Sequence, residues 1–272
     1  MRFPLSPLRL PFLFLLALLA VAACSSSDDE VPYAERPAED LYQSGHSAMN
    51  AGEYADAATY FDEVERQHPY SGLAPKAQLM AAYAYYLDNK YDDAINALDR
   101  FIELHPGSED IAYAYYLKSL CYYERISDVG RDQEMTQLAL VSLDDVVRRF
   151  PDTSYARDAS LKRDLALDHL AGKEMTVGRY YQQQGEYLAA INRFRVVVKD
   201  FQTTSHVPEA LHRLVECYLA LGINGEAQAT AAVLGHNFPG SDWYADSYYL
   251  LTGVDLRPAQ VEDSWISSIW PF

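Results

Sequence analysis

Three sets of residues in this sequence have the types and spacing to do chemistry. Cys24 closes a run of small residues, Val21, Ala22 and Ala23, that follows Arg2, Arg9 and an apolar stretch over residues 10–20. A positive n-region, an apolar h-region and small residues ending at a cysteine form the pattern of a lipoprotein signal. Cleavage before Cys24 would free a thiol for S-diacylglycerol and an amine for N-acylation. With each CH₂ worth roughly 0.8 kcal/mol of membrane affinity, three such chains hold a soluble domain at a bilayer without spanning it. The alternative is an ordinary secretory leader that happens to end at a cysteine.

The second set is His206, Glu209 and His212. Their i, i+3, i+6 spacing spreads them around a helix, unlike the i, i+4 histidines of zinc-binding helices, so no metal site is expected there. The third is tyrosine, present 22 times and dense at Tyr83, Tyr85 and Tyr86, then at Tyr113, Tyr115, Tyr116, Tyr122 and Tyr123. A tyrosine combines apolar area with a hydroxyl, which suits the capture of an extended peptide with aromatic side chains. Tyrosines also serve as wedges between packed helices, and both uses are open for these runs. Tyr85 and Tyr86, about 100° apart around a helix, cannot both sit at the centre of one narrow buried stripe.

No phosphate-cradling glycine loop and no G-x-S-x-G nucleophile motif is present, so a non-enzymatic protein without a cofactor is expected, apart from the covalent lipid on Cys24. An enzyme is the third-placed reading, behind two kinds of binding protein. The formal charge of −17 disfavours nucleic acid and anionic headgroups as partners. Cys121 and Cys217 lie in apolar helical runs far apart in the sequence, and buried free thiols are expected in preference to a disulfide.

These residues must be positioned by a repeat. His68-Pro69, His105-Pro106, Phe150-Pro151, Phe201-Gln202 and Phe238-Pro239 recur at intervals of 37, 45, 51 and 37 residues, and Ala57, Ala94, Ala139, Ala190 and Ala227 recur at the same four intervals. Five residues before four of these alanines stand Gly52, Asn89, Gly185 and Gly222, types that tolerate the left-handed conformation between two helices. Apolar residues between the punctuation marks fall at helical spacing, as in Ala94, Ile95, Leu98, Phe101 and Ile102. The sequence therefore predicts an all-α chain of about five helix-turn-helix units. His68 and His105 at unit ends are expected to cap carbonyls.

The pattern resembles the tetratricopeptide repeat, with Gly178, Tyr181, Gly185, Ala190 and Phe194 in the fourth unit and Gly45, Gly52, Ala57, Phe61 and Pro69 in the first. Units of this kind cannot bury their apolar stripes alone, so they stack into a superhelix with a concave groove. Two insertions break the regularity. Residues 124–134 read as an extended loop within unit three, and residues 154–171 as an extra or lengthened helix before unit four, N-capped by Asp152, Thr153 or Ser154.

The expected organisation is a signal peptide (1–23), a lipidated polar tether (24–37), amino-terminal repeats (38–151), carboxy-terminal repeats (152–255) and an aromatic tail (256–272). In the tail, Trp265, Ile266, Ile269 and Trp270 would share one face of a helix. A cap on the last repeat, a docking site for a partner and a dip into the membrane interface are the three readings of that face.

Leader, tether and repeats together resemble the BamD family, lipoproteins of the outer-membrane β-barrel assembly machinery. The resemblance rests on Ala84-Tyr85-Tyr86, Leu98-Asp99-Arg100-Phe101-Ile102, Gly130-Arg131-Asp132, Arg148-Arg149-Phe150-Pro151-Asp152 with Tyr155 and Asp158-Ala159, and Gly178-Arg179-Tyr180-Tyr181 leading to Ile191-Asn192-Arg193. It covers nearly the whole chain after the leader, though the Trp-rich tail extends past it. Ser25 in place of Asp after Cys24 is similar to outer-membrane lipoproteins.

The resemblance implies several partners: the POTRA region of BamA on the carboxy-terminal repeats, other Bam lipoproteins, and unfolded outer membrane β-barrel proteins whose aromatic carboxy-terminal signal enters the amino-terminal repeats. It implies Arg193, with Arg131 and Asp132, as BamA contacts, and Tyr83, Tyr85, Tyr86, Tyr113 and Tyr116 as the receptor groove. For Arg193 a solvated helix face is the competing reading. The competing function is a peptidoglycan- or division-associated tetratricopeptide lipoprotein.

Overall fold

Apolar side chains at helical spacing, broken by left-handed residues and Pro-containing turns, give eleven helices and no strand among the described residues of the computed structural model. Residues 35–256 are described; the leader, Cys24, most of the tether and the tail after Leu256 lie outside them. The helices are α1 (Ala38–Ala51), α2 (Tyr54–Gln67), α3 (Ala74–Leu87), α4 (Tyr91–Leu104), α5 (Ile111–Tyr123) and α6 (Glu134–Arg149), followed by α7 (Ser154–Gln183), α8 (Tyr187–Asp200), α9 (Val207–Ala220), α10 (Asn224–Asn237) and α11 (Asp242–Thr252). Successive helices pack as pairs: α1 with α2, α3 with α4, α5 with α6, α7 with α8, and α9 with α10. The protein is an all-α tetratricopeptide-repeat superhelix of five such units, with α11 added at the end.

The alanine register marks the core of every unit. Ala57, Ala94, Ala139, Ala190 and Ala227 are each fully buried, where a larger side chain would push the paired helices apart. Four residues on stand Phe61, Leu98, Leu143, Phe194 and Ala231, also buried. The two phenylalanines fill space that a glycine leaves open: a Cβ on Gly45 would lie 2.7 Å from Phe61 and one on Gly178 2.5 Å from Phe194. Within the four units that have it, the turn uses φ of 79°, 60°, 79° and 74° at Gly52, Asn89, Gly185 and Gly222.

His68 and His105 do stand at the C-caps of their helices and bond carbonyls there, through the backbone N–H. At all five unit ends it is the backbone N–H of the residue, whether His or Phe, that bonds the carbonyl four before it: His68 to Val64, His105 to Phe101, Phe150 to Val146, Phe201 to Val197 and Phe238 to Leu234. Because that bond asks nothing of the side chain, an aromatic ring serves as well as an imidazole. The His105 ring instead meets Gln78 Oε1 at 3.0 Å.

Residues 124–133 do form the extended connection between α5 and α6. The second insertion is the lengthened-helix option, since α7 runs unbroken for 30 residues. Thr153 caps it, its Oγ1 accepting from the Ala156 N–H at 3.1 Å. No proline interrupts α7, and its two interior glycines, Gly172 and Gly178, face close neighbours rather than a turn. Buried clusters change over along this one helix. Ala159 belongs to a cluster with Ala139, Leu143 and Val146, whereas Ala171 and Met175 belong to the large cluster formed with α8, α9 and α10. Cys121 and Cys217 are buried and free, and burial pushes both thiols up to about 12, which keeps them protonated and inert.

Candidate functional site

The tyrosines of the amino-terminal repeats separate into two groups. Tyr83 and Tyr113 come together with Tyr42 and Tyr155 around a groove of about 290 Å³, floored by Leu79 and Met80 and edged by Lys76 and Asp110. The rings support one another: Tyr113 lies 5.6 Å from Tyr155, and Tyr83 stacks on Tyr86 at 6.5 Å with the planes 15° apart. Burial holds the Tyr113 phenol well above the usual range, so it stays a neutral hydrogen-bond donor. Lys76 is exposed and makes no ion pair or hydrogen bond among the described residues.

The other three expected groove residues stand outside that lining. The Tyr85 hydroxyl donates to Asp62 Oδ2 at 2.5 Å, tying α3 to α2, and the Tyr116 hydroxyl donates to Asp158 Oδ2 at 2.5 Å, tying α5 to α7. Tyr86 reaches Glu124 Oε1 at 3.4 Å. Burial first and the neighbouring carboxylate second raise all three phenols, Tyr86 to about 12. Tyr116 also touches Tyr155, at 5.3 Å between ring centroids, so it supports the groove from behind. Periodicity could not separate the two groups, because α3 and α5 each have helices on several sides and every tyrosine in question is half-buried.

Tyr42, Lys76, Asp110 and Tyr155 were missed as groove residues. They come from α1, α3, the turn before α5 and the start of α7, segments brought together only by the stacking of units. Tyr155 alone carried a signal, as part of the segment on which the resemblance rests.

A second region surrounds the middle of α7. Arg193 on α8 is about half exposed and its Nη1 donates to Glu174 Oε2 at 3.2 Å. It lines a shallow cavity with Tyr181, Ala189, Asn192 and Val196. On the adjoining residue, Lys173 Nζ donates to the carbonyls of Gly130 and Arg131 at 3.2 and 3.3 Å. The Asp132 carboxylate accepts the Glu134 N–H at 2.8 Å and so starts α6, while its neighbour Arg131 is exposed. Consecutive α7 residues thus hold both sets of expected partner contacts, the loop through Lys173 and the helix through Glu174.

A cavity of about 620 Å³ lies between the α5–α6 loop, α7 and the start of α9. Its polar groups are engaged in closing the chain on itself. His169 Nε2 donates to the Ser127 carbonyl at 2.6 Å, Asp168 accepts from the Ser205 N–H and hydroxyl at 3.1 and 2.8 Å, and Arg179 pairs with Glu209 at 2.9 Å. Size alone does not make it a ligand site.

The three residues weighed for metal binding diverge. His206 faces Asp168 at 3.5 Å, Glu209 lies between Arg179 and Arg213, and buried His212 bonds Ser247 Oγ through Nδ1 at 2.8 Å. Around His212 runs a network of charge: Glu216 accepts from Arg213 and Gln182, each at 2.8 Å, and faces His212 Nε2 at 3.4 Å. Burial would raise the Glu216 carboxyl, but the bonds from His212, Arg213 and Gln182 outweigh it and bring it to about 2. No helix among the described residues is long and apolar enough to cross a membrane.

Comparison with known proteins bears on this geometry. The family described as YfiO, outer membrane lipoprotein, matches residues 34–234. The outer membrane protein assembly factor BamD of Caulobacter vibrioides is 52% identical over 246 residues, covering 90% of this chain and 81% of that protein. BamD of Rickettsia prowazekii is 46% identical over 233 residues, 86% of this chain and 92% of that protein, and BamD of Neisseria meningitidis serogroup A is 33% identical over 244 residues, 86% and 91%. Solved structures match more loosely. The tetratricopeptide domain of P58(IPK) is 16% identical with a TM-score of 0.41 over 78% of this chain and 55% of that one. The Thermus thermophilus protein TTC0263 is 22% identical with a TM-score of 0.37 over 78% and 98%. With the family matched along most of its length, the chain belongs to the YfiO family of outer membrane lipoproteins, which includes the BamD assembly factors.

Proposed function

We propose that this protein is a non-enzymatic outer membrane protein assembly factor. It is held at the periplasmic face of the outer membrane by lipid on Cys24. It receives unfolded β-barrel proteins in its amino-terminal groove and presents them to the POTRA region of BamA, bound by the carboxy-terminal repeats beside the other Bam lipoproteins. The groove carries the reading. Four tyrosines over an apolar floor offer stacking area for an aromatic residue, and Lys76 at the edge offers a free cation for a terminal carboxylate. Arg193 and the exposed Arg131 supply cationic contacts for a partner at the other end, once the weak Arg193–Glu174 pair exchanges.

Binding of a fluorescent peptide ending in phenylalanine tests the groove. Tyr83→Ala should weaken it roughly tenfold, the loss of one well-packed aromatic contact. Lys76→Glu should weaken a free-acid peptide and leave its amidated form unchanged. Equal affinity of the Tyr83→Ala protein, with its helical circular dichroism intact, sinks the assignment of this groove.

A further inference from the structure

α11 repeats the first half of a unit. Ser241 caps its start, its Oγ accepting from the Tyr244 N–H at 3.2 Å, and Gly253 ends it with φ of 74°, the same left-handed residue that follows α1, α3, α7 and α9. In those four units a second helix begins two residues later and covers the first. Counting four back from the left-handed residue gives Ala48, Tyr85, Tyr181 and Tyr218, all buried or half-buried, with Tyr218 only 9% exposed. The matching residue on α11 is Tyr249, which is 52% exposed, and Leu250 beside it is 47% exposed. The opposite face is packed, with Ala245 and Ser247 buried and Trp243, Tyr244 and Leu251 against the large core cluster. One side of the last described helix therefore lacks, among the described residues, the cover that every equivalent helix has.

The sequence after Leu256 fits that vacancy. Pro258 suits the first turn of a helix, and Val261, Trp265, Ile266, Ile269 and Trp270 follow at spacings that place them on one face. From Leu256 to Val261 an extended chain spans about 17 Å, more than the roughly 10 Å between packed helix axes, so the segment reaches back over α11. Residues 257–272 carry Glu262 and Asp263 and a single cation, Arg257. An interfacial helix for an anionic bilayer is rich in Lys and Arg on its polar face, which this segment is not.

We propose that residues 261–270 form a helix seated on Tyr249 and Leu250, completing the sixth unit and closing the open end of the superhelix. Disulfide trapping tests it in the full chain, in outer membranes, with Leu250→Cys and Ile266→Cys introduced together. Mild oxidation should join positions 250 and 266 within one chain, as read by peptide mapping, whereas Leu161→Cys, exposed on α7, should give no link to position 266. The double substitution Trp265→Ser, Trp270→Ser should lower Tm by about 2–4 °C, the shift for roughly 1 kcal/mol in a domain of this size. A link found only between two chains gives the face to a second copy. Quenching of both indoles by nitroxide lipids, without the link, gives the segment to the bilayer. Either result overturns the proposal, as does an unchanged Tm in the absence of the link.

Discussion

The two halves of the superhelix share the buried alanine register inside each unit and differ in the half-buried bonds between units, although exposed ion pairs such as Arg100–Glu65 and Lys118–Asp99 link units of the first half as well. In the amino-terminal half, α2 is tied to α3 and α5 to α7 by phenol-to-carboxylate bonds, Tyr85 to Asp62 and Tyr116 to Asp158. In the carboxy-terminal half, α7 is tied to α9 through Arg179–Glu209 and Gln182–Glu216, and α9 to α11 through His212–Ser247 and the Arg213 guanidinium over the Trp243 ring at 5.5 Å. A phenol keeps its proton far above neutral pH, so the first set has one charge per bond and responds weakly to salt. The second set includes the opposed charges of Arg179 and Glu209 and the Glu216 carboxylate, which also pairs with Arg213, so acid acts on it through those carboxylates. One fold can thus be stacked with either material, provided the alanine register is kept.

The largest expected effects test what the halves share. Phe61→Ala and Phe194→Ala should each cost about 3–5 kcal/mol, since each ring fills the gap left by a glycine and cannot be replaced by collapse of the backbone. In a stacked array the loss should be local, with hydrogen exchange rising in α1–α3 for the first and α7–α10 for the second. Uniform loss of protection along the chain would show that the halves unfold as one and would remove the ground for comparing them.

Acid separates them next. Glu216 ordinarily titrates at 4.5 and is brought to about 2 in the fold, so its contribution is complete above pH 5 and is lost as pH falls from there toward 2. The contribution is at most about 3 kcal/mol, and Glu216→Gln should flatten this acid limb in hydrogen exchange of α7, α9 and α11. A limb of unchanged depth would place the acid sensitivity on other groups.

The smallest of these effects sharpens the contrast within the amino-terminal half. Tyr85→Phe should cost about 1–3 kcal/mol, because Asp62 Oδ1 is already buried without a partner and the substitution strands the second oxygen as well. Tyr116→Phe should cost less, since Asp158 keeps Lys162 at 2.9 Å. The two carboxyls already differ in direction. Burial raises Asp62 despite its bond, while the bonds from Tyr116 and Lys162 lower Asp158. Equal costs for the two phenols would contradict that difference.

Much of the fold was legible because its signals are local. A left-handed residue five positions before a buried alanine specifies a turn and a helix contact without reference to the rest of the chain. Thr153 is an N-cap whatever packs above it. The groove was legible only in part, because its lining is a property of stacking: Tyr83 and Tyr85 sit two residues apart on α3, yet one faces the groove and the other bonds α2. The histidines at unit ends cap as expected, yet the atom that does so is one that every residue but proline has, so the residue type itself carried no signal.

At 1.5 Å per residue, α7 is a rod about 45 Å long, and it enters the cores of both halves. It therefore acts as a ruler as well as a joint. The angle between the tyrosine groove and the Arg193 face is written into the number of residues from 154 to 183. A single residue inserted near its middle would turn one half against the other by about 100°, while every repeat kept its own packing.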